Sequence, residues 1–126
     1  MIIIDYGDLL SPIKVQREKR TDLESIYEEM RGIAQIYGCP VWTASQTNRT
    51  GLNAEVITME SISEAFNKCF VADFIFTISR TIEDKVIDGG RVFIAKNRNG
   101  PQDIIFPIYM KTENVCIKVL NDRGES

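Results

Sequence analysis

Four polar side chains stand where an apolar run hands over to a loop. Asp5 closes MIIID, Gln46 follows PVWTAS, and Lys96 and Arg98 follow RVFIA in the stretch IAKNRNGPQD. In open α/β sheets, ligands gather at the carboxyl ends of strands. A carboxylate at such an end can hold Mg²⁺ through water, since that hard ion keeps several waters and takes few protein oxygens. The same Asp can also make a turn or cap a helix. A Gln amide offers both a donor and an acceptor, which suits a phosphate oxygen or a water, and equally suits a polar turn. Lys96 and Arg98 alternate, so a continuing strand would aim both to one side. Arg brings a planar fork and Lys a point charge, the pair best suited to phosphate. A solvated hairpin tip would use the same residues.

Composition narrows the classes around these groups. The chain has 126 residues, 44% of them hydrophobic and 26% charged, which fits one globular domain. Its net charge of −3 gives nucleic-acid binding no overall electrostatic support, so a basic face would have to be local. Histidine is absent, which excludes His-based zinc sites, Ser-His-Asp triads and imidazole acid–base chemistry in this chain. Three scattered cysteines, Cys39, Cys69 and Cys116, form no CxxC pair, and no signal-peptide pattern follows Met1. Small core filler in a reducing cytosol is the expectation. No apolar run approaches a membrane span.

The elements that must position the four groups alternate along the chain. MIII reads as a strand buried on both faces, and it starts at residue 1, so the chain reads as cut in mid-sheet. The cationic stretch SPIKVQREKR follows, with Lys14, Arg17, Lys19 and Arg20. TDLESIYEEMRGIAQIYG reads as a helix. Thr21 and Glu24 make a capping box, Leu23, Ile26, Tyr27, Met30, Ile33 and Ala34 form one apolar stripe, and Gly38 stops it. CPVWTA is a second strand, with Trp42 expected in the core. Residues 48–59 read as a loop and Glu60 to Phe70 as a short helix with Thr58 before it. ADFIFTISR is a third strand and EDKVIDGG a charged turn. RVFIAK, DIIFPIYM and NVCIKVL then read as successive antiparallel strands, and residues 121–126 as a disordered tail. The expected architecture is α/β, a mostly parallel sheet with flanking helices and a C-terminal antiparallel extension.

In this order the motifs resemble the second half of the RecA-like ATPase domain of DnaB-family replicative helicases, including phage-type members. The resemblance rests on IIIDY, on Ser45-Gln46 with Arg49, on Ala72-Asp73, and on Lys96-Asn97-Arg98-Asn99-Gly100-Pro101. It covers about residues 1–110, and the domain assigned from it runs over residues 1–120, from Walker B onward. It implies a partial RecA-like P-loop NTPase core that uses ATP and magnesium. Asp5 is then the Walker B carboxylate, organising magnesium and water. Gln46 is the γ-phosphate sensor, Arg98 the arginine finger and Lys96 its companion. The last two reach a nucleotide held by the next subunit of a hexameric ring, in a motor that moves on single-stranded DNA in a bacterial cytoplasm. DNA contact is implied for Arg49, Glu64 and Lys68. Here the chain departs from the family, reading Ser63-Glu64-Ala65-Phe66 where Arg-Glu-Ser-Gly is usual. Asp8 stands where many members have Gln, and no chemistry is assigned to it.

A P-loop is missing. No GxxxxGK[ST] occurs, and no glycine precedes a lysine. The chain alone is therefore expected not to hydrolyse ATP. Loss of the Walker A strand would leave open strand edges and uncovered apolar surface, so a rearranged sheet or self-association as a dimer or larger is expected. Two other readings stand beside the helicase fragment. One is a Walker A-less, non-enzymatic module that docks on a helicase or RecA-like ring and donates Arg98. The other is a fragment of a RecA-like recombinase.

Overall fold

A computed structural model describes residues 1–13, 19–47, 54–61 and 66–120. The element order is β1 (Ile2–Ile4), α1 (Lys19–Tyr37), β2 (Val41–Thr43), α2 (Phe66–Val71), β3 (Phe74–Ser79), α3 (Ile82–Val86), β4 (Gly89–Asn97), β5 (Ile104–Lys111) and β6 (Cys116–Val119). The chain divides into two compact units. The first is Met1–Asn48 with Ile62–Ala72, and the second is Arg49–Ser61 with Asp73–Ser126.

In the first unit β1 and β2 pair in parallel, Ile2 opposite Val41, Ile3 opposite Trp42 and Ile4 opposite Thr43. Helix α1 covers one face of this pair. Its stripe residues Leu23, Ile26 and Met30 are buried and pack with Ile4, Tyr27 and Val41. Among the described residues α1 is already helical at Lys19, so Thr21 and Glu24 fall inside it and do not mark its start. Its end is where the glycine places it. Gly38 adopts φ +58, a left-handed value that costs glycine least. The Cys39 amide then donates back to the Ala34 carbonyl at 3.1 Å. The other face of the pair stays open, with Ile3 69% and Trp42 39% exposed. The expectation of a doubly buried β1 and a core Trp42 is corrected by that geometry. A period of two sends Ile3 and Trp42 together to the side α1 does not cover.

The second unit is a four-stranded antiparallel sheet in the order β3-β4-β5-β6. The three closing strands are antiparallel as expected, and β3 joins them. Parallel pairing among the described residues is confined to β1 and β2, so a mostly parallel sheet is not what they form. Buried Phe93, Ala95, Ile108 and Ile57 supply its core. Strand β3 turns its polar residues inward. The Thr77 hydroxyl donates to the Ile57 carbonyl at 2.7 Å and the Ser79 hydroxyl to the Glu55 carbonyl at 2.5 Å. Residues 54–61 are thereby stitched to β3, which satisfies polar groups that burial would otherwise penalise. The alternate residues Phe74, Phe76 and Ile78 are exposed.

The stretch read as a charged turn is a short helix, α3. Thr81 caps it, accepting from the Asp84 amide at 3.1 Å while the Asp84 carboxylate accepts from the Thr81 amide at 2.8 Å. That reciprocal pair satisfies two orphan donors and makes five residues helical. The predicted helix Glu60 to Phe70 is described as a 3-10 turn at Met59–Ser61 and as α2, with residues 62–65 outside the described set. The expected tail, residues 121–126, also lies outside it. Among the described residues no helix is long and apolar enough to cross a membrane.

Candidate functional site

In the first unit the tips of β1 and β2 are braced together by side chains. The peptide bond between Asp5 and Tyr6 is cis. Gly7 follows, and its amide donates to the Thr43 hydroxyl at 2.7 Å. A Cβ on Gly7 would stand 2.9 Å from Met30 Cε and 3.1 Å from Thr43 Oγ1, so a larger residue in the turn after Asp5 would make the Met30 tip and the Thr43 side chain shift. Asp8 is the hub of the brace. Its Oδ1 accepts from the Tyr27 hydroxyl at 2.8 Å and its Oδ2 from the Ser45 hydroxyl at 2.8 Å. Burial pushes the Tyr27 phenol well above its ordinary range, and the hydrogen bond to Asp8 and that residue's negative charge push it the same way.

Asp5 and Gln46 project from this brace and are both exposed. The Gln46 amide donates to the Tyr6 hydroxyl at 3.4 Å, a long bond between residues adjoining the two strand tips. Asp5 thus stands one residue from the group Gln46 touches. Among the described residues no group of three or more His, Cys, Asp or Glu side chains gathers to hold a metal. A single exposed strand-end carboxylate cannot cage a cation. It does fit magnesium, which is typically held by one or two carboxylates, water and substrate phosphate oxygens.

In the second unit Lys96 and Arg98 stand where β4 outruns β5. The β4–β5 ladder ends at Ile94 opposite Ile104, while β4 continues against β3, with Lys96 opposite Ile75 and Asn97 opposite Phe74. The register shifts between Ile75 and Phe76, because Phe76 faces Ile94 and leaves Ala95 as the extra residue. A bulge of this kind re-aims the side chains beyond it. The bulge lies before both cations, so it turns Lys96 away from the face of Ile94; Lys96 is half-buried, and Arg98, one residue past the end of β4, is exposed.

Asn97 builds the turn that follows. Its amide donates to the Pro101 carbonyl at 3.2 Å, and its Oδ1 accepts from the Asn99 amide at 3.3 Å. A Cβ on Gly100 would lie 2.7 Å from Asn97 Nδ2, so a larger residue would displace that bonded amide. Asp103 closes the turn at φ +62, and its amide donates to the Ile94 carbonyl at 2.8 Å. The Asn and Gly of this motif are architecture, and the two cations are what the architecture presents.

Arg98 has a partner that the residue types did not suggest. Its Nη1 lies 2.5 Å from Asp73 Oδ1, and its backbone amide donates to the Asp73 carbonyl at 2.9 Å. The side chains are 46% and 56% exposed, so solvent screens the pair and its net worth is about 0–1 kcal/mol. Asp73 had been read only as the opener of β3. Once β3 and β4 are known to pair antiparallel with Phe74 opposite Asn97, the next step outward sets residue 73 against residue 98. Asp8 was missed for a different reason. Its importance comes from Tyr27 and Ser45, which are far away in sequence.

Of the residues implied for DNA contact, Arg49 and Glu64 lie outside the described set, and Lys68 falls in α2, its side chain undescribed. Lys14 and Arg17 of the cationic run lie outside it as well, and Lys19 and Arg20 open α1. Cys69 is buried, while Cys39 and Cys116 are half-buried free thiols.

No protein-family model matches the chain, and no curated protein matches it in sequence. Solved structures do match in fold. The ATPase domain of G40P superposes with a TM-score of 0.82 at 22% identity, covering 94% of this chain and 44% of that one. A DnaB-like replicative helicase, solved in a study of its interactions with primase, superposes with a TM-score of 0.75 at 22% identity, covering 87% of this chain and 28% of that one. The chain therefore has the α/β fold of these helicase domains and spans less than half the length of either structure.

Proposed function

We propose that the chain is part of an ATP-driven DNA helicase motor of the DnaB type, with Asp5, Gln46, Lys96 and Arg98 as its nucleotide-facing residues. The observation that carries this reading is the fold likeness to the G40P ATPase domain over 94% of the chain. The strand tips add support, because a carboxylate, an amide and two cations stand at or just beyond strand ends.

In this reading Asp5 and Gln46 serve one nucleotide, and Lys96 and Arg98 serve a nucleotide on the neighbouring subunit of a hexameric ring. Magnesium, when bound, neutralises phosphate charge and orients water. Asp5 would accept hydrogen bonds from water on that ion. Gln46 bonds the terminal phosphate or its attacking water, and its link to Tyr6 ties that contact to the loop after Asp5. Arg98 places its guanidinium on charge that develops as the phosphoryl group transfers, a role worth about 10³–10⁵ in rate. Single-stranded DNA is the substrate of the assembled motor, in a bacterial and phage-type setting. Arg49, Glu64 and Lys68 are the residues proposed to touch it. The chain itself carries no phosphate-gripping Gly-Lys-Ser/Thr loop, so ATP turnover belongs to the assembly and not to these residues alone.

The test is Arg98→Ala in the complete ring. Nucleotide binding should persist while ATP turnover drops by about 10³ or more. Undiminished turnover would remove the finger assignment. A second reading, a docking module without activity of its own, is favoured by the same missing loop. The coding sequence around the chain separates the two: an in-frame Walker A segment upstream means a helicase fragment, and a genuine start signal before Met1 means a stand-alone module.

A further inference from the structure

We infer that Asp73 is the resting partner of Arg98, a carboxylate latch that a phosphate must displace before the arginine can act. The inference rests on the reading of Arg98 as a phosphate-seeking group and adds a residue that reading does not contain.

Two contacts join residues 73 and 98, and they differ in kind. The backbone bond from the Arg98 amide to the Asp73 carbonyl is 2.9 Å and needs no side chain. The ion pair between Arg98 Nη1 and Asp73 Oδ1 is 2.5 Å and is made wholly of side chains. The loop can therefore stay in place while the guanidinium leaves. The turn beyond is fixed independently by the Asn97 contacts to Pro101 and Asn99 and by the Asp103 amide on Ile94.

Exposure decides whether the latch opens. A fully buried pair would resist exchange, because each ion would lose its only compensation. This pair is about half exposed on both sides, so water already screens it and exchange is cheap. Carboxylate and phosphate oxygens compete for the same guanidinium N–H groups, and a polyphosphate brings more charge and more acceptors. At rest, Asp73 holds Arg98 at the end of β4 and limits its wandering. In the presence of phosphate it yields.

The measurement is the chemical shift of the Arg98 Nε–H group in the isotopically labelled full chain, titrated with inorganic tripolyphosphate. The signal is identified by its absence in Arg98→Lys. In Asp73→Asn the midpoint should fall by about two- to five-fold, the range a screened surface pair can supply. Asp73→Glu, which restores the carboxylate, should return the midpoint toward the wild-type value. Asp103→Asn removes a charge from the same hairpin and keeps the left-handed backbone that Asn tolerates, so it should leave the midpoint in place. A clear shift in both wild type and Asp73→Asn at one midpoint would overturn the latch and leave the role of Arg98 standing. An equal fall in Asp103→Asn would reduce the effect to general charge and overturn the latch as well. No response of Arg98 in any variant would overturn the phosphate reading and the latch together.

Discussion

At the scale of single residues, Asp8 shows how one carboxylate can tie together elements that lie far apart in sequence. It bonds Tyr27 on α1 and Ser45 at the end of β2, and Ser45 is the neighbour of Gln46. Tyr27→Phe removes one bond to that carboxylate, and hydrogen bonds to charged groups are worth about 1.5–3 kcal/mol, so chemical denaturation should register a loss of that order. The sign of the pH effect follows from the raised Tyr27 phenol. Its neutral form is favoured by the fold, so the contribution is complete below the ordinary tyrosine range near pH 10 and is lost as pH rises beyond it. Alkaline titration followed by ultraviolet absorbance should show a late phase of phenol ionisation, well above the ordinary tyrosine range, in step with loss of structure. The late phase should be missing in Tyr27→Phe, and its survival there would assign it to another residue. None of this was legible beforehand. Asp8 reads as a loop residue until the parallel pairing of β1 and β2 brings Ser45 within reach.

At the scale of elements, the sequence was most readable where one local rule governs. Gly38 ended α1 as its type predicts, and the apolar stripe of α1 became the core of its unit. It was least readable where contacts decide. Residues 83–90 read as a turn because of their charges and glycine pair, yet Thr81-x-x-Asp84 just before and within them was a capping signal all along. Arg91 completes that corner, with Nη1 2.6 Å from Asp84 Oδ2. The Thr81 backbone amide, then the Thr81 hydroxyl and Arg91, hold the Asp84 carboxyl below the usual carboxylate range, against the opposing effect of burial. A depressed carboxylate stabilises the fold above its unfolded value near 4, and that contribution fades as pH falls below it toward the folded value. Acid should therefore loosen α3 and the start of β4, seen as faster amide exchange at Thr81 below about pH 4. Thr81→Ala should cost about 0.5–2 kcal/mol at neutral pH, the usual worth of an N-cap. Asp84→Asn should flatten the acid dependence, and an unchanged profile would show that another carboxylate sets it.

At the scale of the whole molecule, the exposed apolar face of the second unit is the feature that most constrains behaviour in solution. Phe76 pairs with Ile94 and Ile78 with Val92, while Val92 pairs onward with Phe106 and Ile94 with Ile104. These residues share one face by the period of two, and Phe76 (42%), Ile78 (38%) and Phe106 (37%) remain open to water on it. Contiguous apolar patches of this sort mark surfaces meant to be covered. Self-association as a dimer or larger is the expectation from sequence, and this face is one surface on which it can be tested. What sequence could not supply is which residues would form it, because polar Thr77 and Ser79 look like the outward side of β3 until their bonds to Ile57 and Glu55 turn them inward. Burial is worth about 25 cal/mol for each Å² removed from water, which favours covering the face with a second copy against the entropic cost of association. Light scattering should give a dimer or larger for the wild-type chain. Phe76→Ser with Ile78→Thr should shift the mass toward monomer while the far-ultraviolet spectrum holds, since both positions face solvent and Thr suits a strand. A wild-type monomer at tens of micromolar would mean that copies of this chain do not use the face. An unchanged oligomer in the double variant would move the contact to another surface, with the open side of the β1–β2 pair, where Ile3 and Trp42 stand, the next to alter.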